Sequence, residues 1–416
     1  KMSQESPPPD QGFLRYIRRT VPKLFPRGWD LTLYPDACLR ATLPIKSCRQ
    51  RSQASGGARA EGLLRSGGSW NDHQSYVIET LTRESEVSLC PSILRCVETG
   101  GKKRIVSVGD VDANLARPLH TAIYNHLSRF KWLLRGDAKP RKFAEFKPQP
   151  GQVFVSGDYE SATDNLNGHV QREILDLILS QATQIPIGIA NLGRQLLRTP
   201  LQWADDGPVV VQKRGQLMGN LVSFPLLCLV NYLAFRYFSG SKGPVRINGD
   251  DIVFQSSQEE CDRWMEGVGK SGLVLSRGKT MVDSRYFSLN STLFKAHERR
   301  VELIPMLRST AFGFRPDGGA VETLLGRFNS FCPGFYGNRR SLLRIEWLKW
   351  NRNWIVASDR SVSRGLGLPV RSHELKSSNL WDREAHYLSM SAEKPIPVRR
   401  SVLDQGRIPE GWELKR

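Results

Sequence analysis

The sequence predicts an α+β fold, an antiparallel sheet flanked by helices, from three features. A short apolar run, Val153-Phe154-Val155, reads as a buried strand, and it runs into the carboxylates of SGDYESATDN (156–165). VRINGDDIVF (245–254) reads as two short β runs around a tight turn. Between them, Phe224 to Phe238 is a long apolar stretch of helical character.

Taken in order, residues 1–70 are irregular in composition, and SQASGGARAEGLLRSGGSW (52–70) reads as a glycine- and serine-rich linker. Helical stretches are expected around Tyr76–Thr82 and Leu119–Leu133, with a β-like run over Arg104–Val108 between them. KPRKFAEFKPQP (139–150), basic and broken by prolines, should be an extended connection. Asn167-Gly168 reads as a turn, after which Val170, Ile174, Leu177 and Ile178 recur at helical spacing. Ser223 is a plausible N-cap, with Pro225 in the first turn of the apolar helix. Farther on, RRSLLRIEWLKWNRNW (339–354) reads as one basic helix with Trp347, Trp350 and Trp354 on a single face. That face is either core or a platform on which bases stack.

At 416 residues the chain has room for two or three domains. Sixty Lys and Arg against forty-one Asp and Glu leave a net charge of +19. Such an excess points to a densely anionic partner, a nucleic acid first and an anionic membrane surface second. Seven scattered cysteines without a CxxC pair exclude a disulfide framework or a zinc site and indicate a reducing compartment. Phe224–Phe238 falls short of the ~20 apolar residues of a membrane span, so it reads as a buried helix. The chain opens KMSQESPPPDQ, where no signal peptide is read; Lys1 precedes the first methionine, which leaves the true start open.

The chemistry-bearing residues are acidic. Gly249-Asp250-Asp251 places adjacent carboxylates at a hairpin tip, but a GDD triplet arises by chance in roughly one chain in ten of this length. Asp158 and Asp164, six positions apart, are no more specific alone. Together they say more. If the strand before Asp158 lies beside the hairpin, three carboxylates converge, and their repulsion is relieved by hard divalent cations. Two such ions about 4 Å apart suit phosphoryl transfer, and nucleotidyl transfer fits a basic, nucleic-acid-binding chain. Between the aspartates, Gly215 and Gly219 in RGQLMGN allow close backbone approach to a ligand. Asn231, eight positions into an apolar helix, is either a core amide satisfied by backbone or, with Asp164, the holder of a ribose hydroxyl.

DYESATD, GQLMGNLVSFP…N and NGDD, in that order and spacing, resemble palm motifs A, B and C of viral RNA-dependent RNA polymerases. The resemblance is to the narnavirus, mitovirus, levivirus and ourmia-like lineage, and Asn231 with RYFSLNSTLF inclines it toward the ourmia-like (botourmiavirus) branch. It runs from about Arg95 to Glu298. It implies a right-hand polymerase with an N-terminal extension or linker (1–70), fingers (71–150), a palm (151–300) with a fingers insertion at about 180–214, a thumb (301–390) and a C-terminal tail (391–416). Asp158 and Asp250 would be the main ligands of two Mg²⁺ ions, for which Mn²⁺ could substitute, with Asp251 in support. Asp164, Ser223 and Asn231 would form a ribose-reading network. Lys102, Lys103 and Arg104 in GGKKRIVSV would neutralise the incoming triphosphate, although a basic triplet alone is only a solvated charge run. Lys279 would protonate departing pyrophosphate; its plain alternative is an exposed lysine with Arg277 as the real contact.

The implied partners are an RNA template, nascent RNA and ribonucleoside triphosphates, with host proteins possible and no membrane span. A viral protein of this kind would work in the host cell cytoplasm on a positive-strand RNA genome, with salt-sensitive template binding. Two rivals stand beside this reading. A reverse transcriptase would share the palm and its aspartates but prefer deoxynucleotides, and an RNA-binding nucleoprotein would owe everything to its charge.

Overall fold

The computed structural model describes residues 2–64, 73–99, 102–203, 207–313 and 320–390. The described residues divide into two compact units, one up to Glu302 and one from Leu303 to Met390. The first opens with helices α1 (Gln11–Leu24), α2 (Leu33–Arg40), α3 (Gly57–Leu64) and α4 (His73–Thr82). Strands β1 (Ser92–Thr99) and β2 (Lys102–Val108) lead to α5 (Arg117–Leu127) and β3 (Gln152–Gly157). Helices α6 (Ala162–Asn165), α7 (Gly168–Ser180) and α8 (Ile187–Gln195) precede β4 (Pro200–Trp203) and β5 (Val209–Val211). The long helix α9 (Ser223–Ser239) is followed by β6 (Val245–Asn248), β7 (Asp251–Ser257) and α10 (Gln258–Gly267). Strands β8 (Met281–Asp283), β9 (Tyr286–Leu289), β10 (Thr292–Ala296) and β11 (Val301–Leu303) complete it.

The sheet that positions the site is antiparallel throughout, in the order β6-β7-β3-β8. Beneath it α9 is buried on nearly every side, as its unbroken apolar run requires. Phe235 of α9 meets Phe254 of β7 at 4.5 Å, and Phe254 meets Trp264 of α10 edge-on at 5.0 Å. α10 starts in a capping box in which Ser257 and Glu260 satisfy each other's backbone N–H. A second sheet, β2-β1-β4-β5, joins the β1–β2 hairpin to residues 200–211 through a parallel pairing of Ser92–Leu94 with Leu201–Trp203.

Several expectations need correction. The described part of the first 70 residues, 2–64, packs into the first unit. α1, capped by Asp10 accepting from the Phe13 N–H, sends Phe13, Ile17 and Val21 into the core at a spacing of four, with arginines on the other face. Gly12 lies against Tyr237 of α9: a Cβ there would stand 2.1 Å from the tyrosine hydroxyl, which would have to shift. The expected linker over 52–70 holds α3, with Ala58 and Ala60 buried; residues 65–70 lie outside the described residues. KPRKFAEFKPQP is not a plain extended connection: a short 3₁₀ turn, Pro140–Phe143, swings Phe143 and Phe146 into a fully buried aromatic cluster with Phe154, Phe287 and Phe294. Asn167 is a helix cap, its side chain accepting from the N–H groups of His169 and Val170. Ser223 is the first residue of α9; Val222 occupies the cap position, without a side-chain bond.

The second unit is helical: α11 (Ser309–Gly313), α12 (Ala320–Ser330), α13 (Gly337–Trp350), α14 (Arg352–Ala357), α15 (Ser372–Ser377) and α16 (Trp381–Ser389). Its core gathers Leu324, Phe328, Phe331, Trp347, Leu348 and Ile355. The single tryptophan face does not form, because the helix breaks at Asn351. Trp347 is fully buried and donates to Ala311 O, Trp354 is half-buried, and Trp350 is 67% exposed. The expected tail, 391–416, lies outside the described residues. Among the described residues no helix is long and apolar enough to cross a membrane.

Candidate active site

The acidic residues 92 positions apart meet because their strands pair. β3 and β7 run antiparallel with Gly157 opposite Ile252, so the same register places Asp158 opposite Asp251. Gly157 is needed here, since a Cβ would stand 2.7 Å from Trp264 and 2.8 Å from Ile252. β6 and β7 are closed by a two-residue turn between the paired Asn248 and Asp251, and Gly249 supplies its positive φ of 68°. Asp250 completes that turn.

Helix α9 holds the turn from below. Asn231, with no exposed surface, donates its amide to Gly249 O (3.1 Å) and Asp250 O (3.3 Å) and accepts from the Tyr159 hydroxyl (2.8 Å). The Cys228 sulfur accepts from the Gly249 N–H at 3.2 Å. The residue after the first aspartate is thus wired to the backbone of the second. Nothing local in the sequence marks Tyr159 for this role, because its partner lies 72 residues away.

Electrostatically the carboxylates oppose one another. Burial raises the Asp250 carboxyl above the ordinary range, Asp158 adds to that, and Arg104 pulls it back. Asp251 is pushed up to about 6 by burial and then by Asp250 and Asp158. The segment after α10 brings in a cation: Ser276 N–H donates to Asp158 O at 2.8 Å, and the Lys279 Nζ stands 3.6 Å from Asp158 Oδ2. Lys279 is largely exposed, so this ion pair adds little to stability.

Acidic oxygen donors that repel one another are chemically suited to Mg²⁺, which takes one or two carboxylates and completes its shell with water and substrate phosphates. Among the described residues no group of three or more His, Cys, Asp or Glu side chains is placed to hold a metal ion.

A cavity of about 900 Å³ opens beside the turn. Asp250, Arg104, Ser223, Gln216, Gly219 and Ser161 stand on its border. Lys102 and Lys103 belong to the β2 backbone, but their side chains lie outside the described residues. Gly215, at φ 75°, packs so closely on α6 that a Cβ would stand 2.6 Å from Thr163 O; Gly219, at φ 90°, has open space where a Cβ would be. Asp164, Ser223 and Asn231, the expected ribose-reading residues, stand in different surroundings. Asp164 is half-buried on α6, Asn231 is committed to Tyr159 and the turn, and Ser223 alone of the three borders the cavity. The physical reason is that a buried amide must be paired, and the turn carbonyls are its neighbours.

Val222, before α9, carries a φ of 63°, a strained setting for a β-branched residue. Its N–H donates to Nδ1 of His120 at 3.2 Å. That bond needs a neutral ring, and burial with Arg117 and Arg135 nearby lowers the His120 pKa to about 4. Between the ordinary value near 6.5 and 4, the unfolded chain takes up a proton that the folded chain does not, so this contribution to stability is present above 6.5 and fades as pH falls toward 4. Urea unfolding at pH 7.5 and 4.5 should therefore show His120→Gln losing less stability on acidification than the parent chain, by about 1–3 kcal/mol.

The mitovirus RNA-dependent RNA polymerase family matches residues 84–306, more than half of the chain. The chain belongs to this family. The matched span contains β3, the GDD hairpin, α9 and Lys279. The RNA-dependent RNA polymerase of Ourmia melon virus is 31% identical over 176 residues, which is 38% of this chain and 20% of that protein. The RNA-directed RNA polymerase of Cryphonectria parasitica mitovirus 1 is 26% identical over 205 residues, 45% of this chain and 23% of that one. The chain thus spans about a fifth of the length of the curated relatives it matches. The crystal structure of the RNA-dependent RNA polymerase of a human picobirnavirus superposes with a TM-score of 0.56 at 15% identity, covering 91% of this chain and 76% of that one. The α+β architecture of this mitovirus-family chain is therefore a polymerase fold, as the sequence predicts.

Proposed function

We propose that this chain is an RNA-directed RNA polymerase that copies a positive-strand RNA virus genome in the cytoplasm of its host cell. The observation that carries the proposal is the meeting of Asp158 with the Asp250-Asp251 turn beside a cavity that Arg104 also borders. The 3′-hydroxyl of the growing strand would attack the α-phosphate of a ribonucleoside triphosphate; a phosphodiester bond forms and the bond to pyrophosphate breaks. Asp158, Asp250 and Asp251 would hold Mg²⁺, or Mn²⁺ in its place. When bound, two such ions stabilise charge on the attacking and leaving oxygens. Arg104, with Lys102 and Lys103, would hold the triphosphate. Lys279, beside Asp158, would give pyrophosphate its proton, a contribution of about 10²–10⁴ in rate. Sequence would be read by pairing with the template.

The test is primer extension by the purified chain with an RNA template, Mg²⁺ and either four NTPs or four dNTPs. Template-length RNA from NTPs is the expected product. Preference for dNTPs would make the chain a reverse transcriptase, and no extension under any condition would end the proposal.

A further inference from the structure

Asn231 gives both amide hydrogens to the hairpin and accepts from Tyr159, which leaves Ser223 as the one expected sugar reader that borders the cavity. One buried amide at the cavity is uncommitted. Gln216 is 2% exposed, borders the cavity, and has neither its Oε1 nor its Nε2 hydrogen-bonded. Its neighbours differ: Gln171 and Gln212 both donate to Gly215 O and fix the loop. Gln216 is held by its backbone instead, the N–H donating to Thr163 O at 2.6 Å next to a Gly215 that tolerates no side chain. A buried carboxamide with both ends unpaired is costly, and a ligand that both donates and accepts would relieve it.

The chemistry of that ligand can be narrowed. A phosphate only accepts, so it would leave Oε1 unpaired. A nucleobase offers a shared acceptor on its minor-groove edge but no shared donor, so it too would leave Oε1 unpaired. A ribose hydroxyl is present on every nucleotide and both donates and accepts. We propose that Gln216 binds the sugar hydroxyls of the incoming nucleotide and so sets the preference for ribonucleotides. This rests on the polymerase reading above.

The experiment compares kcat/KM for an NTP, its 2′-deoxy and its 3′-deoxy analogue on one RNA primer–template, using the full chain, Gln216→Leu and Gln216→Glu. Each selectivity is a ratio within one preparation, so a partly folded variant does not distort it. For a variant too slow to turn over, a 3′-deoxy primer gives the same ratios as nucleotide Kd values. The expected result is a fall of at least about tenfold in discrimination against one deoxy analogue in Gln216→Leu, with Gln216→Glu, which keeps an acceptor, less affected. The 2′ and 3′ arms say which hydroxyl is held. Both ratios unchanged would overturn the proposal and leave Gln216 a structural amide. Weaker RNA binding with both ratios unchanged would also overturn it, in favour of a template contact. A parent chain that adds no nucleotide fails earlier, and takes the polymerase reading with it.

Discussion

Asp250→Asn should abolish nucleotide addition, lowering the rate by about 10³-fold or more, while the fold and RNA affinity persist. The substitution is nearly isosteric, and the bonds that fix the turn use backbone: Gly249 O and Asp250 O to Asn231, and Gly249 N–H to Cys228. None depends on the Asp250 carboxylate. That carboxylate is disfavoured in its charged form by burial and by Asp158, so neutralising it removes repulsion and should leave the melting temperature equal or higher. A less acidic cleft in a chain of net charge +19 should bind RNA as tightly or more tightly. What is lost is an anionic oxygen donor at the place where Mg²⁺ would be held. The three measurements are single-nucleotide extension, thermal melting and RNA Kd on the same preparation. A nucleoprotein, whose function is charge alone, would keep its function in this variant. Extension at the parent rate would remove Asp250 from the chemistry.

Much of the site was legible because its signals are local. The strand before Asp158, the Gly249 turn and the apolar run of α9 each announce themselves within ten or so residues, and motif order supplies the pairing that periodicity cannot. The misses share a cause: a partner distant in sequence. Phe143 and Phe146 sit among lysines and prolines that read as an open connection, yet their ring partners, Phe287 and Phe294, come some 140 residues later. The α1 stripe of Phe13, Ile17 and Val21 is diluted by arginines and a nearby proline run, and the Tyr237 and Phe238 that cover Phe13 lie on α9. The strain at Val222 has no sequence signal at all, because φ > 0 is expected of glycine, not valine. Asn231 stands out in an apolar helix, but only the contacts of its amide separate its two readings.

That contact yields the second large effect. Asn231→Ala should lower kcat by about 10²-fold and cost on the order of 2–4 kcal/mol of stability. The change strands the buried Tyr159 hydroxyl and frees the carbonyls of Gly249 and Asp250, besides opening a small void. The turn then loses its tie to α9, and a carboxylate displaced by an ångström is enough for a hundredfold loss. Tyr159→Phe isolates one bond of the same chain. It leaves the Asn231 carbonyl without its donor but keeps both bonds to the turn, so it should be milder, about 1–2 kcal/mol and a few-fold in kcat. The readout that separates a clamp from a sugar reader is selectivity. As a clamp, Asn231 acts equally on every nucleotide: kcat falls, KM for the NTP holds, and the NTP-to-2′-deoxy-NTP ratio stays at the parent value. As a sugar reader, its removal would raise KM for the ribonucleotide and collapse that ratio, and Tyr159→Phe would leave kcat untouched. A collapsed ratio in Asn231→Ala alongside an unchanged one in Gln216→Leu would exchange the two roles assigned above.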